Sequence, residues 1–330
     1  MSHATGANPT ERVPQSLDSA GVLAVQKRSI ATLSAAQVFG GIAVAGSMPA
    51  GALLAASLTG SEAFAGLAQT AGVLGAAIFA LPLARIALTK GRRPALATGY
   101  GLGILGAIFV IGGAVSHQVA LVLIGSLFVG VASAASLQAR YAATDLALPE
   151  HRARSLSYVV WAATIGAVLG PNLLNFSGSV DMSLGLPQLS GPYVIAGISL
   201  TLAVAVLVAA LRPDPFILAR QVRQAADPGT KIPNPKLRDG IEHLRTRPRA
   251  VLGIGAISIG HVVMIMVMVM TPVHMAHVDV TLQLIGLVIS VHVAGMYAFS
   301  PLVGRAVDRF GRVPMIIAGA MILAASCVIS

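Results

Sequence analysis

The chain has 330 residues, of which 55% are hydrophobic and only 10% charged, with a mean hydropathy of +0.81. Soluble domains average about 45–50% apolar and about 25% charged residues, so a water-soluble globular fold is excluded. The net charge of +10 and pI near 10.6 point to nucleic acid only in a soluble protein, and the positions of the charges given below tie them to a membrane instead.

The amino-terminal stretch, residues 1–28, is polar. It carries Gly6, Pro9 and Pro14 without the apolar segment of a cleavable signal, and so reads as a tail. Apolar windows of ~20 residues follow, near 30–58, 63–88, 95–115, 118–139, 157–175 and 190–211. Three more come near 250–272, 283–305 and 314–330. The runs are continuous, not the alternating ~10-residue segments of a barrel, so the spans are helices. The expected chain is an all-α membrane protein of about nine transmembrane helices, six plus three. Its divisions are a tail at 1–28, a six-helix bundle at 29–211, a connector at 212–249 and an incomplete second bundle at 250–330. The apolar run continues to Ser330.

With a cytoplasmic amino terminus, all 22 Lys and Arg residues fall in the tail, in the turns after spans two, four and eight and their helix ends, or in the connector. None falls in an outer loop. The positive-inside rule gives that asymmetry its meaning: a multi-pass protein of the cytoplasmic (inner) membrane, its basic loops facing anionic headgroups. Nucleic acid is thereby set aside as a partner. The connector is punctuated by Arg212-Pro-Asp-Pro215, Pro228-Gly229 and Pro233-Asn-Pro235. Its segment 216–226 has the pattern of an amphipathic surface helix, with a solvated linker as the alternative. The single cysteine, Cys327, lies in an apolar stretch and rules out an intrachain disulfide.

Two inner turns repeat. Gly91-Arg92-Arg93-Pro94 follows span two, and Gly311-Arg312-Val313-Pro314 follows span eight. Internal repeats of this kind mark transporters whose site lies between two halves. The second copy is fuller, Gly304-Arg-Ala-Val-Asp308-Arg309-Phe-Gly311-Arg312, and resembles the GxxxDRxGR signature of the major facilitator superfamily. In span five, Gly166-Ala-Val-Leu-Gly170-Pro171 is similar to the GxxxGP motif of that superfamily's drug-efflux-like export branch. The sequence departs from the family pattern at Ala84, Leu88 and Thr89 in the first copy. It departs also at Ser126 of span four, where proton-coupled relatives often place an arginine, and at Leu174 and Asn175 after the GP pair.

The resemblance implies a helical bundle of twelve spans, so that about three further helices are expected to be missing. It also implies alternating access and a cytoplasmic latch of Gly304, Asp308, Arg309, Gly311 and Arg312 with Gly91, Arg92 and Arg93. The Asp308 carboxylate is placed to pair with Arg309 or Arg312 and to face the positive amino-terminal end of span five near Ser155. Gly304 permits close helix approach. Gly166, Gly170 and Pro171 suggest a smooth face and a bend. Arg140 and Asp145, five residues apart, are candidates for a charge network with the first inner turn, or for a surface pair of little weight.

No Asp, Glu, Lys or Arg falls in the middle of a span. The polar residues left for a substrate or proton pathway are Gln37, Gln69, Asn172, His261 and His292, and the two histidines are the candidates for proton coupling. Met264, Met266, Met268 and Met270 alternate along span seven. They divide over two faces, which suits an adaptable apolar wall and not, with His274 and His277, a metal site. Nothing resembles HExxH or a nucleophile elbow, so no enzyme is expected, and no cofactor. The expected function is secondary transport of a small molecule. Export of an apolar or neutral amphipathic compound is favoured over uptake of a neutral solute, with a non-transporting fragment as the rival.

Overall fold

The computed structural model describes residues 19–226, 246–277 and 294–329, with isolated positions between them. Long apolar runs in lipid have no water to satisfy their N–H and C=O groups, so they close their hydrogen bonds internally as helices. Eleven α-helices result among the described residues: α1 (Ser19–Thr59), α2 (Glu62–Lys90), α3 (Arg92–Val115), α4 (Val119–Ala142), α5 (Arg152–Asn172), α6 (Leu174–Leu184), α7 (Gly191–Ala210), α8 (Pro215–Ala226), α9 (Pro248–His277), α10 (Ser300–Phe310) and α11 (Arg312–Ile329). A single 3-10 turn, Pro149–His151, leads into α5.

Among the described residues six helices are long and apolar enough to cross a membrane: α1 to α5 and α7. They coincide with the first six expected spans. The seventh and ninth expected spans lie in α9 and α11, and most of the eighth, residues 283–305, falls outside the described residues. Two differences stand out, and one of two open readings is resolved. The first helix begins at Ser19, so the last part of the expected tail is helical; Gln26 there is buried and donates through Nε2 to the Ala143 carbonyl at 2.7 Å. The loop expected after span five folds as α6. The connector's 216–226 segment is helical, as α8.

Packing puts small residues inside and bulk outside. Ala36, Ala43, Ala132, Ala135, Ala139 and Ala203 are buried around Leu33, Leu96, Tyr100 and Leu200, while Leu53, Ile78, Ile108 and Ile198 are exposed on the outer faces. That inversion suits a lipid surround, where apolar bulk outside is no penalty and close van der Waals packing holds helices together. α1 is the central post, touching α5, α7, α4 and α2, with α3 laid against α4 and α7.

α1 and α5 approach each other closely, as α2 and α4 do at Gly75 and Gly130. A Cβ on Gly166 would stand 2.8 Å from Gly41 Cα and from Ile42 N, and one on Gly170 would stand 2.8 Å from Gly46 N. The glycines of the GxxxGP-like motif therefore form a helix contact surface. Pro171 sits in the last turn of α5, which stops at Asn172 before α6 resumes at Leu174. Gly166→Leu is expected to force α1 and α5 apart and lower the thermal midpoint of the purified protein, an overpacking cost of about 3 kcal/mol. Gly101→Ala, where a Cβ meets nothing within 4 Å, is expected to leave the midpoint unchanged or raise it slightly.

Candidate functional site

The repeated glycine turns are alike in backbone. Gly91 (φ 100°, ψ 174°) is the single residue between α2 and α3, and Gly311 (φ 90°, ψ 168°) the single residue between α10 and α11. A positive φ there is strained for a residue with a Cβ, which accounts for glycine at both. Both turns lie at the end of the bundle that gathers the basic residues.

At the second turn, α10 is drawn against the start of α5. The backbone N–H groups of Ala153 and Arg154 donate to Asp308 Oδ1 and Oδ2 at 3.1 and 3.0 Å. One carboxylate thus meets two of the orphan donors of a helix start and complements the positive end of its dipole. Asp308 is joined to backbone, not to Arg309 or Arg312. Gly304 is buried at the crossing, where an added Cβ would stand 2.5 Å from Ser157 Oγ and 3.0 Å from Ala153 O. Ser300 Oγ donates to the Ser157 carbonyl at 3.2 Å one turn away. Arg309 stacks its guanidinium over the neighbouring Phe310 ring.

The first turn has Leu88 where the second has Asp308, and its carboxylates come from elsewhere. Arg93 N donates to Asp214 Oδ2 at 2.7 Å, and the same side chain's Oδ1 accepts from Phe216 N at 3.0 Å at the start of α8. Arg92 grips Asp145 with two prongs, Nε to Oδ2 at 2.8 Å and Nη2 to Oδ1 at 3.1 Å, while its Nη1 donates to Gln138 Oε1 at 3.1 Å. Its guanidinium also lies over the Phe216 ring, 5.4 Å from the centroid. Burial lifts the Asp145 carboxyl above its ordinary 3.8, and the hydrogen bond and charge of Arg92 pull it back only in part. Arg140, the neighbour expected near Asp145, instead stacks over Tyr297, 5.9 Å from its ring centroid.

The five neutral candidates separate. Gln37 is fully buried at the centre of the bundle, its Oε1 accepting from Tyr100 Oη at 3.0 Å and from Ser136 Oγ at 2.9 Å. Gln69 lines a cavity of about 200 Å³ among α1, α2, α4 and α7, together with Ser47, Ser126, Ser133 and Tyr193. The Tyr193 hydroxyl donates to the Ser47 carbonyl at 3.0 Å. Asn172 returns its amide to Val168 O at 2.6 Å. His261 and His292 are exposed, and the methionine side chains of span seven lie outside the described residues. Sequence reasoning passed over Asp214, Gln138 and Tyr193. The Pro-Asp-Pro setting of Asp214, a helix-start signal, was the clue to the first of these.

The chain is similar over most of its length to known proteins. The family model described as Major Facilitator Superfamily matches residues 33–330. An uncharacterized MFS-type transporter of Bacillus subtilis (strain 168), YdeG, is 39% identical over 305 residues, 92% of this chain and 70% of the relative. A second from that organism, YddS, is 38% identical, covering 92% and 69%. A riboflavin transporter of Brucella anthropi, RfnT, is 27% identical over 92% of this chain and 73% of its own. Among solved structures, the proton:xylose symporter XylE bound to 6-bromo-6-deoxy-D-glucose superposes with a TM-score of 0.59 at 17% identity, covering 88% of this chain and 71% of that one.

The Arg92–Asp145 pair is half of a network in which each partner is differently replaceable. Arg92→Met strands a buried carboxylate and is expected to destabilise by about 3 kcal/mol. Asp145→Asn, which relieves the desolvation that raises the carboxyl and keeps an acceptor for Arg92, is expected to cost clearly less at neutral pH. Thermal midpoints of the two variants in one detergent check the order, and the reverse order contradicts it.

Proposed function

Because the chain belongs to the major facilitator superfamily, we propose that it carries a small apolar or neutral amphipathic molecule outward across the cytoplasmic membrane by alternating access. On this reading the amino terminus and all basic turns face the cytosol, and two halves divided by the 212–249 connector rock about a shared site. The observation that carries the reading is the Asp308 carboxylate seated on the first N–H groups of α5. It joins an element of the second half to one of the first at the cytosolic end, where a latch of Gly304, Asp308, Arg309, Gly311 and Arg312 would close the inner mouth. Gly91, Arg92 and Arg93 hold the corresponding turn of the first half to Asp145 and Asp214.

The outer-half cavity beside Gln69 is lined by neutral groups and suits a neutral solute, since a charged one would need a buried counter-charge. Gly166 and Gly170 supply the smooth face on which α5 moves against α1. The other polar residues of the pathway are Asn172, His261 and His292, with Gln37 acting from within the bundle through Tyr100 and Ser136. Uptake of a neutral solute is the second reading; the likeness to a riboflavin transporter makes riboflavin a candidate substrate in either direction.

Transport in oriented membrane vesicles tests the direction, with riboflavin and a panel of neutral lipophilic dyes as probes. Accumulation into inside-out vesicles supports export, and accumulation only into right-side-out vesicles overturns it in favour of uptake. Asp308→Asn removes the charge but keeps an acceptor, so it is expected to shift the closed-to-open ratio by about 1 kcal/mol, roughly fivefold, and to slow turnover accordingly. An unchanged rate removes the latch. If His261 or His292 carries a coupling proton, replacing both with glutamine abolishes gradient-driven transport while probe binding survives; retained gradient-driven transport rules the pair out.

A further inference from the structure

A cavity of about 780 Å³ opens at the basic end of the molecule, beside the Asp308 contact and separate from the small cavity near Gln69. Its wall includes three arginines from three elements: Arg152, the first residue of α5; Arg223, from the last turn of α8; and Arg312, the first residue of α11. Asp145 is the acidic side chain in that wall, and both of its oxygens are already held by Arg92. Asp308, close by, has its oxygens on the α5 backbone. Among the described residues no carboxylate lies within ion-pair distance of Arg152, Arg223 or Arg312; the Asp145 charge reaches Arg223 only through space.

Two of these guanidiniums stand where a cation is least favoured. Arg152 and Arg312 open their helices, so their charge adds to the positive end of each helix dipole in place of opposing it. Arg223 comes from a different segment, the connector, and projects into the same space. All three side chains are exposed at the wall of this open cavity; a positive potential concentrated from three directions on a concave surface is what attracts a multivalent oxyanion, and planar guanidiniums match phosphate oxygens in pairs.

We infer that this cavity binds a phosphate-type anion, bridging the connector helix to the starts of α5 and α11. The bound anion neutralises the three arginines together and ties Arg223 of α8 to the Asp308 contact. An anionic phospholipid headgroup of the adjoining leaflet and a soluble phosphate share this chemistry.

The full chain in phosphatidylcholine nanodiscs separates the two sources. Its thermal midpoint is followed while phosphatidylglycerol is increased in the bilayer and, separately, while inorganic pyrophosphate is added to pure phosphatidylcholine discs. A rise with phosphatidylglycerol alone assigns the headgroup, and a rise with pyrophosphate assigns the soluble anion; no rise with either overturns the inference. In the Arg152→Gln, Arg223→Gln, Arg312→Gln triple variant the half-effective concentration is expected to increase at least tenfold. Should the triple variant not fold, each single variant is expected to raise it about fivefold, with Arg249→Gln, outside the cavity wall, responding like the parent. Single variants that all respond like the parent overturn the proposal.

Discussion

A helix that starts at a membrane boundary leaves N–H groups without partners, and each one left buried and unmet costs about 1–3 kcal/mol. This chain has only 12 acidic residues, and three of its aspartates are placed on that problem. Asp308 takes the first donors of α5, Asp214 those of α3, and Asp181 those leading into α7, through Leu189 N at 3.1 Å and Gly191 N at 2.5 Å. Each comes from a different element than the helix it serves. The requirement of local backbone chemistry is therefore met by tertiary contacts, and the way helices are ordered around one another follows from which carboxylate reaches which start.

The two glycine turns show how a repeat diverges while its geometry persists. Gly91 and Gly311 share a backbone conformation that a residue with a Cβ tolerates poorly. The acidic residue of the second turn, Asp308, sits three positions before the turn glycine, Gly311. In the first turn that place is Leu88, and the missing negative charge is supplied by Asp145 from the end of α4 and Asp214 from the connector. The same electrostatic need is satisfied by different stretches of sequence, so the charge balance of the turn outlasted the motif.

Much of the fold was legible because lipid imposes a length and a composition on each span. The six long apolar windows became α1 to α5 and α7, and Asp308, which the family resemblance offered either to Arg309 or Arg312 or to the start of span five, lies on the α5 backbone. What escaped had a common cause. Arg140 precedes Asp145 by five residues and reads as its natural partner, yet the end of α4 turns the carboxylate toward Arg92 of α3 and the guanidinium toward Tyr297. Gln37 reads the same whether it faces a pathway or, as here, anchors Tyr100 and Ser136 inside the bundle. Sequence spacing reports position along a helix; it does not report which neighbour fills the space beside it. The extension of α1 to Ser19 was hidden likewise, because Gln26, one polar residue of that stretch, is held by a partner, Ala143, more than a hundred positions away.

Asp214 serves two helices at once, one oxygen on the opening of α8 and the other on the opening of α3. The segment leaving α7 is thereby pinned to the first bundle before it sets out for the second. In mechanical terms, α8 is a lever clamped at its root, so a pull along it would be felt as torque on that clamp, and through it on the turn that holds α2 to α3.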